Sequence, residues 1–148
     1  MNNFDNEHIG RLVRNIYNAV SDESHKQLKM KDYPELDSSY SIVFQYIGEG
    51  ARATEIANKG RTSKQNIKYL LEMMEKKGYV KRKEDPIDGR AWIFELTQLG
   101  KEYRNEGLQI IAMLEKRWAE ELGENEYIQL KKHLAKLNQI IIAYQNGS

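Results

Sequence analysis

Residues 53–96, ATEIANKGRTSKQNIKYLLEMMEKKGYVKRKEDPIDGRAWIFEL, decide how the rest of the chain is read. Ala53, Ile56 and Ala57 keep helical spacing for barely two turns and stop at Asn58-Lys59-Gly60, where glycine supplies a turn conformation. Thr62-Ser63-Lys64-Gln65 reads as a capping box, the Thr hydroxyl bonding the backbone three residues on while Gln65 reaches back. Ile67, Leu70, Leu71 and Met74 then make one apolar stripe, which leaves Lys64, Gln65, Asn66, Lys68 and Tyr69 on other faces, and Gly78 ends the helix. Tyr79–Lys83 and Ala91–Leu96 are rich in strand formers and are separated by Glu84-Asp85-Pro86-Ile87-Asp88-Gly89-Arg90, the pattern of a hairpin with a charged tip. Trp92, Phe94 and Leu96 alternate to one side, as a ribbon packed on helices by one face requires.

The flanks read as helices. From Ile9, the residues Leu12, Val13, Ile16, Tyr17 and Val20 share one face of a helix reaching towards Leu28. Pro34 breaks the pattern, and Asp37 caps a second helix whose inward face is Tyr40, Val43, Phe44 and Ile47 and whose end lies near Gly48. Thr97 caps a long helix through Leu99, Tyr103, Gly107, Ile110, Ile111, Leu114 and Trp118 to about Leu122, with Gly107 suited to a close helix crossing. After Gly123 a last helix carries Tyr127, Leu130, Leu134, Leu137, Ile141 and Tyr144, and Ile140 and Ile142 widen its apolar face beyond one stripe, so a partner surface is expected. The expected class is mainly α with a small β-hairpin wing: a winged helix-turn-helix over about 37–97, with dimerisation helices at about 4–30 and 98–145, in one domain of 1–148.

Composition agrees with this plan. At 148 residues, 40% hydrophobic and 30% charged, the chain has the size and balance of one folded domain, and 2 Pro and 10 Gly leave room for long helices. The absence of Cys excludes disulfides, thiolate metal sites and thiol-oxidation sensing. The start has no basic stretch followed by an apolar run, and no purely apolar run is longer than Ile140–Tyr144, so neither secretion nor a membrane span is supported and a cytoplasmic setting is expected. His8, His25 and His133 lack metal-ligand spacing; no metal or cofactor is expected. No phosphate-binding glycine loop, nucleophile elbow or His-Glu-x-x-His is present, and an enzyme is not expected.

The net charge of +1 conceals an asymmetry. Between Gly60 and Arg90 nine basic residues face five acidic ones, a balance of +4, and the remainder carries −3. The positive segment coincides with the second helix of the helix-turn-helix and the wing. Gln65 and Asn66 can each bond adenine bidentately, and Lys64 and Lys68 suit guanine or phosphate. Arg61, Thr62 and Ser63 sit where a helix N-terminus offers free N–H groups to a phosphate. Double-stranded DNA is the expected partner. Lys81-Arg82-Lys83 reads either as part of that surface or as a solvated face, Tyr69 as a packing or phosphate residue, and Trp92 as hairpin core. A winged helix used purely for protein contact is the alternative function.

Gly78-Tyr79-Val80-Lys81-Arg82, Asp85-Pro86-Ile87-Asp88-Gly89-Arg90-Ala91 and Leu96-Thr97-Gln98-Leu99-Gly100 resemble, in order and spacing, the wing pattern of the MarR (multiple antibiotic resistance regulator) family of winged-helix transcription factors. The resemblance spans nearly the whole chain and implies a sequence-specific transcriptional regulator, usually a repressor, that binds a pseudo-palindromic operator as a homodimer. It also implies that Arg90 enters the minor groove, with Asp88 orienting it; a turn-fixing bond from Asp88 to backbone is the other reading. A small aromatic or phenolic effector in a crevice between dimer and DNA-binding regions is implied too, for which Arg11, Tyr40 and Phe44 are candidates, although core packing explains the two aromatics equally well. Two departures stand out: polar Gly60-Arg61-Thr62 where the family has an apolar residue before the cap, and Gly123 where a Ser or Thr cap is usual.

Overall fold

The computed structural model describes residues 7–147, so the first residues of the expected opening helix, 4–6, lie outside the described residues. Six α-helices and one antiparallel hairpin follow in the order α1 (Ile9–Lys29), α2 (Ser41–Tyr46), α3 (Ala53–Gly60), α4 (Lys64–Lys76), β1 (Val80–Glu84), β2 (Trp92–Leu96), α5 (Gln98–Leu122) and α6 (Glu124–Asn146). The expected class, mainly α with a two-stranded wing, is the observed one. The chain forms two compact units, one running to Ile110 and one from Ile111 onward.

In the first unit the core is built from α1, α2, α3, α4, the hairpin and the start of α5. Val43, Ile47, Ile56, Ile67, Leu71, Met74 and Tyr79 are almost wholly buried, and each helical member comes from the apolar spacing read in the sequence. Asp37 caps as expected, accepting from the Ser39 N–H at 2.8 Å, but the residues it caps first form a 3-10 turn, Ser38–Tyr40, that runs into α2. The hairpin pairs Val80 with Leu96 and Glu84 with Trp92. Ala51 adds a further rung by exchanging both backbone bonds with Phe94, each at 2.9 Å, which fastens the segment just before α3 to the wing. Trp92 lies on the Phe94–Leu96 side but is half-exposed, because the ribbon projects past the core at that end.

Two glycine assignments change, and a third glycine gains a role. The residue in the left-handed conformation after α3 is Arg61, with φ 53° and ψ 48°, while Gly60 is still helical. Gly60 is small for another reason: a Cβ there would come within 2.8 Å of the Ile42 Cγ1. Gly107 makes no close crossing, since a Cβ would meet only Leu28 Cδ1 at 3.9 Å. The close approach belongs to Gly100, where a Cβ would collide with the Tyr79 carbonyl oxygen and press on Leu96 at 3.1 Å.

The second unit contains the end of α5 and all of α6. Tyr127 donates to Glu115 at 2.9 Å and Lys131 pairs with the same carboxylate at 2.9 Å, pinning the start of α6 back along α5. Burial first, and then that carboxylate, push the Tyr127 hydroxyl up to about 12. Gly123, at φ 108°, makes the turn between the two helices, a backbone conformation that a Ser or Thr cap would strain. No residue of α6 is buried, and Ile128, Leu137, Ile140, Ile141 and Ile142 remain exposed.

Gly100→Ala is expected to destabilise the chain by about 1–3 kcal/mol in urea unfolding, because the obstructing atom is backbone and cannot rotate away. Gly107→Ala, at open spacing in a helix, is expected to stabilise by up to about 1 kcal/mol.

Candidate nucleic-acid interface

Helix α4 begins one residue later than its sequence suggests. Ser63 is the N-cap, its hydroxyl accepting from the Asn66 N–H at 3.0 Å. Thr62 instead accepts from the Asn66 side-chain amide at 3.1 Å, and Gln65 takes no part in the cap. Serine in extended backbone completes the same bond that a Thr at 62 would have made. Gln65 is thereby left with a free side chain on the exposed first turn, whereas one N–H of the Asn66 side-chain amide is already engaged, leaving its second N–H and its oxygen. Arg61, Lys64 and Lys68 are exposed and have no carboxylate partner among the described residues. Tyr69 is also exposed, which excludes core packing and leaves the phosphate alternative.

The basic run in β1 is a different matter. Arg82 points to the packed side, donating to Glu75 of α4 through Nε and a terminal nitrogen at 2.9 Å each. Its guanidinium also lies 5.6 Å from the Trp92 ring centroid and 5.1 Å from that of Phe94. On the opposite face Lys81 and Lys83 both reach Glu95, at 3.4 and 3.0 Å, and hold its carboxyl below the ordinary range. Two carboxylates thus offset three cations, and Glu95 lies outside the window whose charge marked this segment as basic. The cations of the window without a carboxylate partner among the described residues are instead Arg61, Lys64 and Lys68 at the start of α4 and Lys76 and Lys77 at its end.

The wing tip is built around a residue that the sequence placed only within a motif. Asp85 is buried, 5% exposed, and its two oxygens have separate partners. Oδ1 accepts from the backbone N–H of Ile87 at 2.8 Å and of Asp88 at 3.4 Å. Oδ2 accepts from Arg52 Nε at 2.6 Å and is also paired with an Arg52 terminal nitrogen. The Ile87 amide first, and then the Arg52 guanidinium, hold the Asp85 carboxyl below the usual carboxylate range. Arg52 precedes α3 directly, and its own N–H donates to Glu55 at 3.3 Å. Asp88 makes the turn-fixing bond, accepting from the Arg90 backbone N–H at 3.1 Å, and also lies 3.5 Å from Arg90 Nε. The Arg90 side chain is 95% exposed.

Arg11, Tyr40 and Phe44 are not gathered into a pocket. Arg11 is exposed on the first turn of α1, Tyr40 is in the core, and Phe44 stacks on Tyr103 with ring centroids 5.2 Å apart. The spacing that suggested the two aromatics is core spacing, and core packing is what they do. A cleft of about 230 Å³ lies instead among Leu28, Tyr33, Leu36 and Tyr103, with Lys29 and Glu35 at its edge. Tyr33 was visible in the sequence only as an aromatic beside the Pro34 break, and Tyr103 only as a position on the apolar face of the helix after Thr97. Among the described residues no cluster of His, Cys, Asp or Glu is placed to hold a metal ion, and no helix is long and apolar enough to cross a membrane.

Residues 47–92 match the sequence model of the MarR family. Among solved structures, the chain is similar to the transcriptional repressor CouR bound to a 23-mer DNA duplex, at 22% identity and a TM-score of 0.69 over 88% of this chain and 92% of that one. It is similar also to wild-type apo MarR from E. coli, at 19% identity and a TM-score of 0.72 over 88% and 97%. A transcriptional regulator from Thermotoga maritima matches at 21% identity and a TM-score of 0.62 over 93% and 96%. At these identities the structural likeness is one of fold. No curated protein sequence matches the chain.

The lowered Asp85 carboxyl gives a signed pH prediction. Its contribution to stability is complete above the unfolded value of about 4 and is lost as pH falls through the depressed folded value. Urea unfolding should therefore show Asp85→Asn less stable than the parent at pH 7, with the gap narrowing as pH falls below about 4. A gap that is constant across pH would mean that charge plays no part in the Asp85 contacts.

Proposed function

With the winged helix of residues 47–92 matched to the MarR family, we propose that this chain is a sequence-specific, double-stranded DNA-binding transcriptional regulator that acts as a repressor. The observation that carries this reading is the exposed first turn of α4, where Gln65 stands free and Arg61, Lys64 and Lys68 lack carboxylate partners among the described residues. A groove-reading helix needs donor and acceptor groups that the fold has not already used, and this turn supplies them. Gln65 is the base reader. Asn66 reads through its oxygen and its remaining amide N–H, and Arg61, Thr62, Ser63, Lys64 and Lys68 hold phosphates. Arg90 serves the minor groove from the wing, oriented by Asp88.

A homodimer on a pseudo-palindromic site accompanies this proposal. The exposed apolar residues of α6, and Ile9, Val13, Ile16 and Tyr17 of α1, are more than isolated surface hydrophobics. Two-fold pairing through such helices would set recognition helices about 34–36 Å apart, one turn of duplex. A small, largely apolar effector that releases the DNA is consistent with the tyrosine-lined cleft.

In mobility-shift titrations over salt, the chain is expected to retain duplex DNA with an affinity that falls steeply as salt rises. Gln65→Ala should cost about 1–3 kcal/mol at one base pair, and Lys68→Ala should weaken all sequences alike and reduce the salt slope by about one. No retention on duplex DNA at any salt would favour a protein-contact module instead.

A further inference from the structure

We infer that Arg52 and Asp85 are positioning residues for the wing, acting on DNA through Arg90; this rests on the DNA-binding reading above. Arg90 is 95% exposed and its only anchor at the tip is Asp88, itself a partly exposed residue. Nothing in that pair fixes where the tip stands. Asp85 does, because it is the one buried charged residue among those described and its two oxygens face two ways. Oδ1 gathers the amides of Ile87 and Asp88 and so shapes the turn that displays Arg90. Oδ2 takes the guanidinium of Arg52, which belongs to the segment entering the helix-turn-helix. The next residue back, Ala51, is bonded through its backbone to Phe94 in β2. One carboxylate therefore ties the tip turn to the base from which α3 and α4 spring, and the Ala51 rung prevents that base from sliding along the hairpin.

Charge and shape favour this role over simple adhesion. A carboxylate accepting two backbone N–H bonds and a guanidinium has its capacity filled in directions set by all the donors, so tip and base are held in one relative geometry. An arginine reaching into a groove from a swinging tip would lose the orientational benefit of its exposure. The pair makes no contact with DNA in this scheme and supplies placement alone.

The test is a double-mutant cycle on DNA. The probe is a duplex that the unaltered protein selects from a randomised pool, prepared with A·T-rich and G·C-rich flanks. Asp85→Asn keeps an acceptor for Ile87 and Asp88 but removes the charge; Arg52→Gln leaves Asp85 intact and removes its partner. Each is expected to weaken binding about tenfold on the A·T-rich flank, comparable with Arg90→Ala, and to add less than about twofold in an Arg90→Ala background. Arg52→Lys should recover part of the loss. Circular dichroism and urea unfolding establish that each variant is folded at the assay temperature. Losses that add fully to that of Arg90→Ala, or that are equal on both flanks, overturn the positioning role while leaving DNA binding standing. If Asp85→Asn does not fold, Arg52→Gln alone decides the matter. Failure of the unaltered protein to select any duplex overturns the DNA reading itself and this inference with it. Amide hydrogen exchange in the free protein reads the same pair without DNA: Arg52→Gln should raise exchange at Ile87 and Asp88, and unchanged exchange there would overturn the pair's hold on the tip.

Discussion

The complete burial of Tyr79 is the constraint on which the winged helix depends. Its backbone N–H closes the end of α4 on Met74 at 2.9 Å, and its carbonyl accepts from the Thr97 N–H at 3.0 Å. Its hydroxyl donates to the Pro34 carbonyl in the loop after α1, and its ring meets Tyr103 of α5 at 5.0 Å and Phe44 of α2 at 6.2 Å. One residue thus fixes the exit of the recognition helix, the base of the wing and the entry to α5. A tyrosine does this because its large apolar body gains from burial while the hydroxyl, which would be costly unpaired, reaches a carbonyl. Gly100 follows from the same contact, since only a residue without a side chain lets α5 start against the Tyr79 carbonyl.

With that junction set, the hairpin's charges become largely internal. Arg82 is drawn onto Glu75 and the Trp92 and Phe94 rings, and Lys81 and Lys83 share Glu95. These pairs are half-exposed and contribute little stability each, but they decide where the positive field is absent. Within the basic window, the cations left for a polyanion are those around the start of α4, Lys76 and Lys77 at its end, and Arg90 on the wing. A count of charges along a sequence window cannot separate these cases, because pairing across strands joins residues more than ten positions apart.

Much of the fold was legible because helical spacing and strand alternation are local. The apolar stripes of α1 to α5, the Asp37 cap and the hairpin boundaries all followed from residues within a few positions of one another, and the wing motif pointed to Asp88 and Arg90. What escaped was set by contacts between distant segments. Gly60 looked like the turn residue since glycine tolerates left-handed backbone, yet it is small because Ile42 lies against it, and Arg61 takes the strained conformation. Thr62 and Ser63 are both capable caps, and only the path of the preceding turn chose Ser63. Tyr40 and Phe44 carried two meanings in the sequence, pocket or core, and the position of Tyr103 resolved them as core.

The Arg52–Asp85 pair shows why a long-range charge would be kept in so small a structure. Burying a carboxylate is costly, and a pair of apolar residues of similar volume could fill the same space at no loss of stability. Such a replacement would still leave a hairpin, because the β1–β2 ladder and the Ala51–Phe94 rung do not involve either side chain. It would not leave the same tip: the Ile87 and Asp88 amides would lose their acceptor, and the turn carrying Arg90 would be free to choose among the geometries that a Pro-Ile-Asp-Gly sequence allows. An ion pair whose replacement spares the fold but releases the turn is explained by the placement of that turn, and the most exposed cation it carries is Arg90.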